Sequence, residues 1–215
     1  MKKIPTLFER KFENHKVIGI TDKITPGCEK AFLEGIATVK VDGSCCAIID
    51  GKFYKRYDAK KGKKAPEGAI PCQPEPDPIT GHHPHWVSVD ESKPEDKWFV
   101  RAYQQRMLRY GKKETPDGTY EAVGEHFQGN PYNLPYDILW KHGAAEIPDA
   151  VFPDLEDRTF EGVSNYLNEN AMEGIVFWLD GKPVCKIKRT DFGFEWPIKE
   201  ARMCSNSCEA MCMDD

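Results

Sequence analysis

Long apolar runs are missing from this chain of 215 residues. The longest uncharged one, GIVFWL at 174–179, is far too short to cross a bilayer as a helix, which takes about 20 residues. A signal-peptide h-region is missing too: the start, MKKIPTLFERKF, offers two lysines and no apolar stretch. Without a secretion signal, the eight cysteines read as reduced thiols rather than a disulfide framework. The expectation is a cytoplasmic, intracellular chain with no membrane partner. There is no internal repeat. Nor is there an overall positive charge: a net charge of −5 argues against a protein that binds nucleic acid over its whole surface.

What is present begins with a real core, since 40% of the residues are hydrophobic, enough for one large domain or two small ones. A short helix is expected at CEKAFLEG, closing at Gly35. Two strand-like runs, 36–41 and 44–49, flank Asp42-Gly43 and read as a hairpin; Asp50-Gly51 marks a second turn before a strand at 52–57. Residues 65–98 hold seven prolines and little periodicity, the mark of a long irregular excursion, with HWVSVD a short strand inside it. Phe99, Tyr103, Met107 and Tyr110 recur at helical spacing over 98–110. GTYEAVGEHF (118–127) alternates like a strand, and a helix is expected over 156–170, starting near Asp157. EGIVFWLD and PVCKIKR form two more strands around a turn at Asp180-Gly181-Lys182-Pro183. Strands in hairpins rather than βαβ units predict an antiparallel α+β fold.

Within this pattern the charged residues are unevenly placed. Lys40 lies between Val39 and Val41, and strand alternation sets Thr38, Lys40 and Asp42 on one face. Lys186 and Lys188 share a face with Ile187 on the other. Glu121 and Glu125 share a face of the expected 118–127 strand, and Glu173 immediately precedes an apolar strand. Each alone is what an exposed strand face looks like. Together they suit a nucleoside triphosphate and its metal. Between Lys52 and Lys64 stand seven basic residues and one acid, Asp58, either a solvated face or a phosphate-binding patch.

The words KVDG, TYEAVG, EGIV and KIK follow one another in the order of motifs I, III, IV and V of the covalent nucleotidyltransferases. That superfamily comprises ATP-dependent DNA ligases, RNA ligases and RNA capping enzymes. With the flanking KVDGSCC, GHHPHWV, GNPY, HGA, EGIVFWLDG and KIKR…GFEWP, the chain resembles the ATP-dependent 5′-to-3′ RNA ligase family that includes the vertebrate enzyme, over roughly residues 16–197. The resemblance implies an antiparallel-sheet nucleotidyltransferase (ATP-grasp-like DNA/RNA ligase) fold as a minimal single domain at 1–200, with a Cys-rich tail at 201–215. It implies ATP as substrate, Mg²⁺ or Mn²⁺ as cofactor, and RNA with 5′-phosphate and 3′-hydroxyl ends as partner.

Roles follow by position. Lys40 would be the nucleophile that takes AMP from ATP, pass it to an RNA 5′-phosphate, and be freed as a 3′-hydroxyl seals the strands. A free lysine amine is neutral in only about 1 in 2,500 molecules at pH 7; the apolar Val39 and Val41 and the cations Lys186 and Lys188 are groups that disfavour an ammonium. Lys186 and Lys188 match the pair that contacts the α-phosphate. Glu173 matches the acid that holds the metal, and Glu121 the acid near ribose and metal, with Glu125 the alternative. Arg56, in YKRYD, matches an arginine expected at the ribose or the RNA 5′-phosphate. Asp42 orients the lysine or its loop, Gly43 allows a tight turn, and Thr38 lies where adenine is contacted. Lys55, Lys60, Lys61, Lys63 and Lys64 become candidates for binding RNA phosphates, an interaction that weakens steeply with salt.

Other signals carry less. His82, His83 and His85 with Cys72 fit no standard zinc spacing, and Cys204, Cys208 and Cys212 form one helical stripe without an evident fourth ligand. Cys45 and Cys46 read as core filler; Phe177, Trp178 and Trp196 read as core aromatics. A capping-type guanylyltransferase or a DNA ligase would carry an oligonucleotide-binding barrel after motif V, where 27 residues (189–215) follow Lys188. A non-catalytic RNA-binding relative would be expected to have lost one of the lysines or acids.

Overall fold

The computed structural model of the protein describes residues 3–14, 16–78, 80–143 and 153–198. Its strands, in chain order, are β1 (Phe8–Glu13), β2 (Lys16–Ile24), β3 (Ile36–Lys40), β4 (Ser44–Ile49), β5 (Lys52–Ala59), β6 (Ile70–Pro71), β7 (His83–Ser88), β8 (Gly118–Val123), β9 (Ile138–Lys141), β10 (Gly174–Leu179) and β11 (Lys182–Lys188). Helices α1 (Glu29–Glu34), α2 (Lys97–Tyr110) and α3 (Phe160–Glu169) are set among them. Every pairing between these strands is antiparallel, so the fold is α+β. Among the described residues no helix is long and apolar enough to cross a membrane.

Asp-Gly occurs at three of the expected turns, and the structure uses it in two ways. Asp50 and Gly51 have φ of 50° and 69°, Asp180 and Gly181 of 50° and 70°. Positive φ at both central residues is what a two-residue hairpin needs, and these two turns close β4–β5 and β10–β11. Asp42 and Gly43 do not adopt it, so the expected 36–41/44–49 hairpin is absent. Strand β3 pairs with β10, while β4 pairs with β5 and β8. Gly43 is required for space: a Cβ there would lie 2.3 Å from the Ala122 carbonyl oxygen of β8.

The described residues group into two compact units, in place of the single domain expected over 1–200. One holds Lys3 and Asp42–His142, the other Ile4–Val41 and the described part of Gly143–Asp215. The chain passes from one to the other inside KVDG, after Val41.

In the unit that carries Lys40, a three-stranded sheet of order β11-β10-β3 is joined by the β1–β2 ribbon. Phe8, Phe32, Val163, Leu167, Ile175, Phe177 and Ile187 form its core, each 2% exposed or less. Burying side chains of this size stabilises by about 1.5–3 kcal/mol apiece. Strand β10 is apolar nearly throughout because it is the central strand. Helix α3 contributes Val163 and Leu167, one turn apart, and is capped by Thr159, whose Oγ1 accepts from the Gly162 amide at 3.0 Å. The cap therefore lies two residues beyond Asp157, where the helix was expected to start.

The other unit is built on a six-stranded sheet of order β6-β7-β5-β4-β8-β9. Helix α2 covers one of its faces, packing Ala102, Phe99 and Tyr103 against Cys46, Ile48, Tyr120 and Leu139. Strand β8 stops at Val123 rather than running to 127. Gly124 (φ +127°) follows it, with its backbone so close to Tyr136 that a Cβ would lie 2.2 Å from the Tyr136 carbonyl oxygen. Within the Pro-rich excursion, Asp77 accepts from the Thr80 amide at 2.8 Å and pairs with Lys3 at 3.0 Å; the amide above all holds its carboxyl well below the ordinary range.

Candidate active site

The three-stranded sheet sets four of the predicted residues on one face. Gly174 of β10 lies opposite Lys40 of β3 on one side and Lys188 of β11 on the other. One pair along, Val176 lies between Thr38 and Lys186. Alternation sends Ala37, Ile175, Phe177, Cys185 and Ile187 to the opposite face, into the core. A side chain at Gly174 has no room, since a Cβ would meet the Ile187 carbonyl oxygen at 2.1 Å.

Across this gap the two lysines converge. The Lys40 ammonium is ion-paired with Oε2 of Glu173, and the Lys188 ammonium with Oε1 of the same carboxylate. Glu173 is 3% exposed, so a buried anion is held by two cations. Its backbone is fixed as well, its carbonyl accepting from the Arg189 amide at 2.9 Å. Burial of a carboxylate is tolerated only with such partners. Thr38 is buried, and its Oγ1 accepts from the Trp178 indole N–H at 2.8 Å, a structural use of the hydroxyl where an adenine contact was expected.

The remaining predicted residues belong to the six-stranded unit. Cys45 pairs with Glu121 and Glu121 with Trp140. Strand β5 brings Arg56 beside Cys45, its guanidinium hydrogen-bonded to the thiol, and Arg56 pairs in turn with Trp86. Arg56, Cys45 and Glu121 therefore form a row flanked by two tryptophans, on the sheet face opposite Cys46 and Tyr120. Glu121 Oε2 lies 3.0 Å from His142 Nε2. Burial, with the Glu121 charge second, pushes the Cys45 thiol up to about 12. The amide of Asp42 donates to the Tyr132 hydroxyl at 2.5 Å, which ties down the loop of the motif.

Two expectations change here. Glu125 lies beyond the end of β8 and is exposed, so it does not share a strand face with Glu121. Lys55 points to the opposite side from Arg56, and its ammonium is ion-paired with Asp96, which is 1% exposed. It is committed to that buried acid rather than offered to RNA. Lys60, Lys61, Lys63 and Lys64 are exposed in the turn that follows β5.

Among the described residues, the His-rich segment holds no converging set of three or more ligands. His82 Nδ1 pairs with Asp58 at 3.1 Å, His83 Nε2 with the Gln73 carbonyl at 2.8 Å, and His85 Nδ1 with the His83 carbonyl at 2.8 Å. The Cys204, Cys208 and Cys212 stripe lies outside the described residues. What the sequence reading passed over is His142, within HGA, and the placement of Cys45 against Glu121. The available signal for Cys45 was strand parity, which sets it on the face away from the core residue Cys46.

Residues 109–212 match the family model described as RNA ligase 1. RNA ligase 1 of Rattus norvegicus is 24% identical to the chain, over 91% of this chain and 78% of the relative. RNA ligase 1 of Pongo abelii is 25% identical over the same shares, and that of Danio rerio 24% identical over 76% of this chain and 69% of its own. With its motifs in order, its two lysines set about one buried carboxylate, and this likeness along most of its length, the chain is similar to the proteins named RNA ligase 1.

Proposed function

We propose that the chain is an ATP-dependent RNA ligase that works through a covalent lysyl-AMP on Lys40, with the nucleotidyltransferase fold that its motif order implies. The relatives' name, RNA ligase 1, supports the reaction class. The observation that carries the mechanism is the convergence of Lys40 and Lys188 on Glu173 across the side-chain-free Gly174.

The Lys40 amine attacks the α-phosphorus of ATP. A phosphorus–nitrogen bond forms, the bond to the bridging oxygen breaks, pyrophosphate leaves, and the nitrogen loses its proton to solvent. An oxygen of an RNA 5′-phosphate then attacks the same phosphorus and displaces the lysine, which gives RNA capped by AMP through a pyrophosphate link. A 3′-hydroxyl attacks the RNA 5′-phosphorus last; a phosphodiester forms and AMP leaves.

Lys188 would serve the first of these steps. It lies one strand away from the nucleophile on the same sheet face, and its fixed positive charge would stabilise the charge that builds on the α-phosphate. Lys186 shares that face one pair along. Glu173 keeps Lys40 and Lys188 aligned, and Lys40 must leave it to attack.

The donor set also fits a magnesium or manganese ion. A single buried carboxylate completed by phosphate oxygens and water is the usual protein share of such a site, so Glu173 would hold the ion once Lys40 has moved to the phosphate. When bound, the ion neutralises charge on the triphosphate. In the other unit, Glu121 and Arg56 are assigned to the ribose and to a phosphate, and the exposed Lys60, Lys61, Lys63 and Lys64 to the RNA backbone.

The test is a strand-joining assay with a single-stranded RNA bearing a 5′-phosphate and a 3′-hydroxyl, with ATP and magnesium chloride. Joined RNA and an AMP-capped intermediate are expected from the wild type and neither from Lys40→Ala. Joining by Lys40→Ala, or joining of DNA but not RNA, would overturn the proposal.

A further inference from the structure

We propose that Cys45, Glu121 and His142 form a three-ligand site for a divalent transition metal of zinc type, separate from any magnesium chemistry at Glu173. The Cys45 sulfur, a Glu121 carboxylate oxygen and a His142 ring nitrogen all lie within 4.8 Å of one another. Among the described residues this is the one group of three or more His, Cys, Asp or Glu side chains that converges so.

The sheet builds the group from three adjacent strands. Cys45 of β4 faces Glu121 of β8 in register. His142, just past β9, donates its amide to the Thr119 carbonyl at 3.0 Å, which sets it two residues along β8 from Glu121 and on the same face. The imidazole is oriented as well. Its Nδ1 lies 3.1 Å from the Thr119 hydroxyl, which leaves Nε2, 3.0 Å from Glu121 Oε2, as the ligating atom. Metal-binding histidines commonly have their second nitrogen held in this way.

The donor chemistry selects the metal. A thiolate, an imidazole and a carboxylate suit zinc and its neighbours and do not suit magnesium. Bonds of about 2.0 to 2.3 Å put tetrahedral ligand atoms roughly 3.3 to 3.8 Å apart; the Glu121 and His142 atoms are already 3.0 Å apart, so the Cys45 sulfur needs to approach by up to about an ångström. Three protein ligands leave a fourth position open to water or another ligand, unlike the closed four-ligand set of a structural site.

Two features set the affinity. Cys45 would ligate as a thiolate, so binding releases a proton. Arg56 is exposed, is hydrogen-bonded to Cys45, and carries a charge that opposes a cation there. Loss of Arg56 should therefore tighten metal binding. On the proposed function, occupancy takes Glu121 away from the nucleotide and zinc lowers adenylylation. That consequence rests on the proposed reading, whereas the site does not.

The test is a titration of the full chain with cobalt(II), a spectroscopic stand-in for zinc. The wild type should show a sulfur-to-cobalt charge-transfer band and four-coordinate visible absorption that zinc bleaches. Cys45→Ser should lose the band. His142→Ala should weaken binding, Thr119→Val should weaken it by about tenfold, and Arg56→Ala should strengthen it. Absence of the band in the wild type, or a band that persists in Cys45→Ser, would overturn the site. Should Cys45→Ser fail to fold by circular dichroism, unchanged cobalt affinity in His142→Ala would overturn it equally. The spectrum reports the site whether or not the chain adenylylates, so the two readings fail separately.

Discussion

Lys40 and Lys188 end on the two oxygens of one carboxylate, that of Glu173, although their strands, β3 and β11, are not neighbours in the sheet. Strand β10 separates them, and its first residue, Gly174, has no side chain to keep them apart. The proposed nucleophile and the charge proposed to stabilise its transition state are thus held by the same buried anion.

Glu173→Gln removes the charge that both ammonium groups face while keeping the shape. Breaking a fully buried ion pair costs roughly 3–5 kcal/mol, but these lysine side chains are 19% and 34% exposed, so a loss of about 2 kcal/mol in urea unfolding is expected. Lys188→Ala leaves Glu173 paired with Lys40 and should unfold at nearly the wild-type urea concentration. Its expected effect is kinetic: single-turnover adenylylation slower by about 100-fold or more.

Gly174→Ala tests the backbone arrangement. The added methyl meets the Ile187 carbonyl and the Lys188 Cα, at 2.1 and 2.9 Å, neither of which is the far end of a flexible side chain. Strands β10 and β11 must part, at a cost on the order of 3 kcal/mol. Adenylylation should fall with stability, as measured by urea unfolding and single-turnover kinetics on the same preparation. Unchanged stability would mean that the register at Gly174 is misassigned.

Replacing Lys60, Lys61, Lys63 and Lys64 together by Ala should weaken RNA binding without slowing AMP transfer from ATP to the protein. If all four meet phosphates, the slope of log affinity against log salt should flatten by up to about 2.8, or about 0.7 per contact. Filter binding over a salt series reads this directly. Lys55→Ala should instead lower stability, because it strands Asp96.

Burial raises the thiols of Cys45, Cys46, Cys28 and Cys185 above their ordinary value of 9.0, Cys45 to about 12. Above pH 9 the unfolded chain has given up protons that the folded one keeps, so folding stability is full below that pH and falls as pH rises. For Cys45 the loss runs from about pH 9 to 12, at about 1.4 kcal/mol per pH unit. Urea midpoints at pH 8 and 10 should therefore diverge, and by less in Cys45→Ser.

Much of this is legible in the sequence alone. The β10–β11 hairpin follows from apolar runs on either side of Asp180-Gly181, and the shared face of Lys186 and Lys188 follows from strand parity alone. What was not legible was long-range. Three of the chain's four Asp-Gly pairs mark the expected turns and look alike, and only the crowding of Gly43 against Ala122 distinguishes the one that joins two sheets. The β1–β2 ribbon escaped because FERKFE and KVIGITDKI carry charge on both faces, with register shifts that break their alternation. The Glu173 ion pairs link residues distant in sequence, which local pattern does not encode. Lys55 is the instructive case. It lies in the same basic run as Lys60, yet parity with Arg56 already turned it to the other face of the sheet.

The most direct measurement is the intact mass of the protein after incubation with ATP and magnesium, wild type beside Lys40→Ala. The account predicts a gain of one AMP in the wild type, discharged by 5′-phosphorylated RNA and absent from the variant. An AMP adduct on Lys40→Ala, or no adduct on the wild type with either magnesium or manganese, would contradict it.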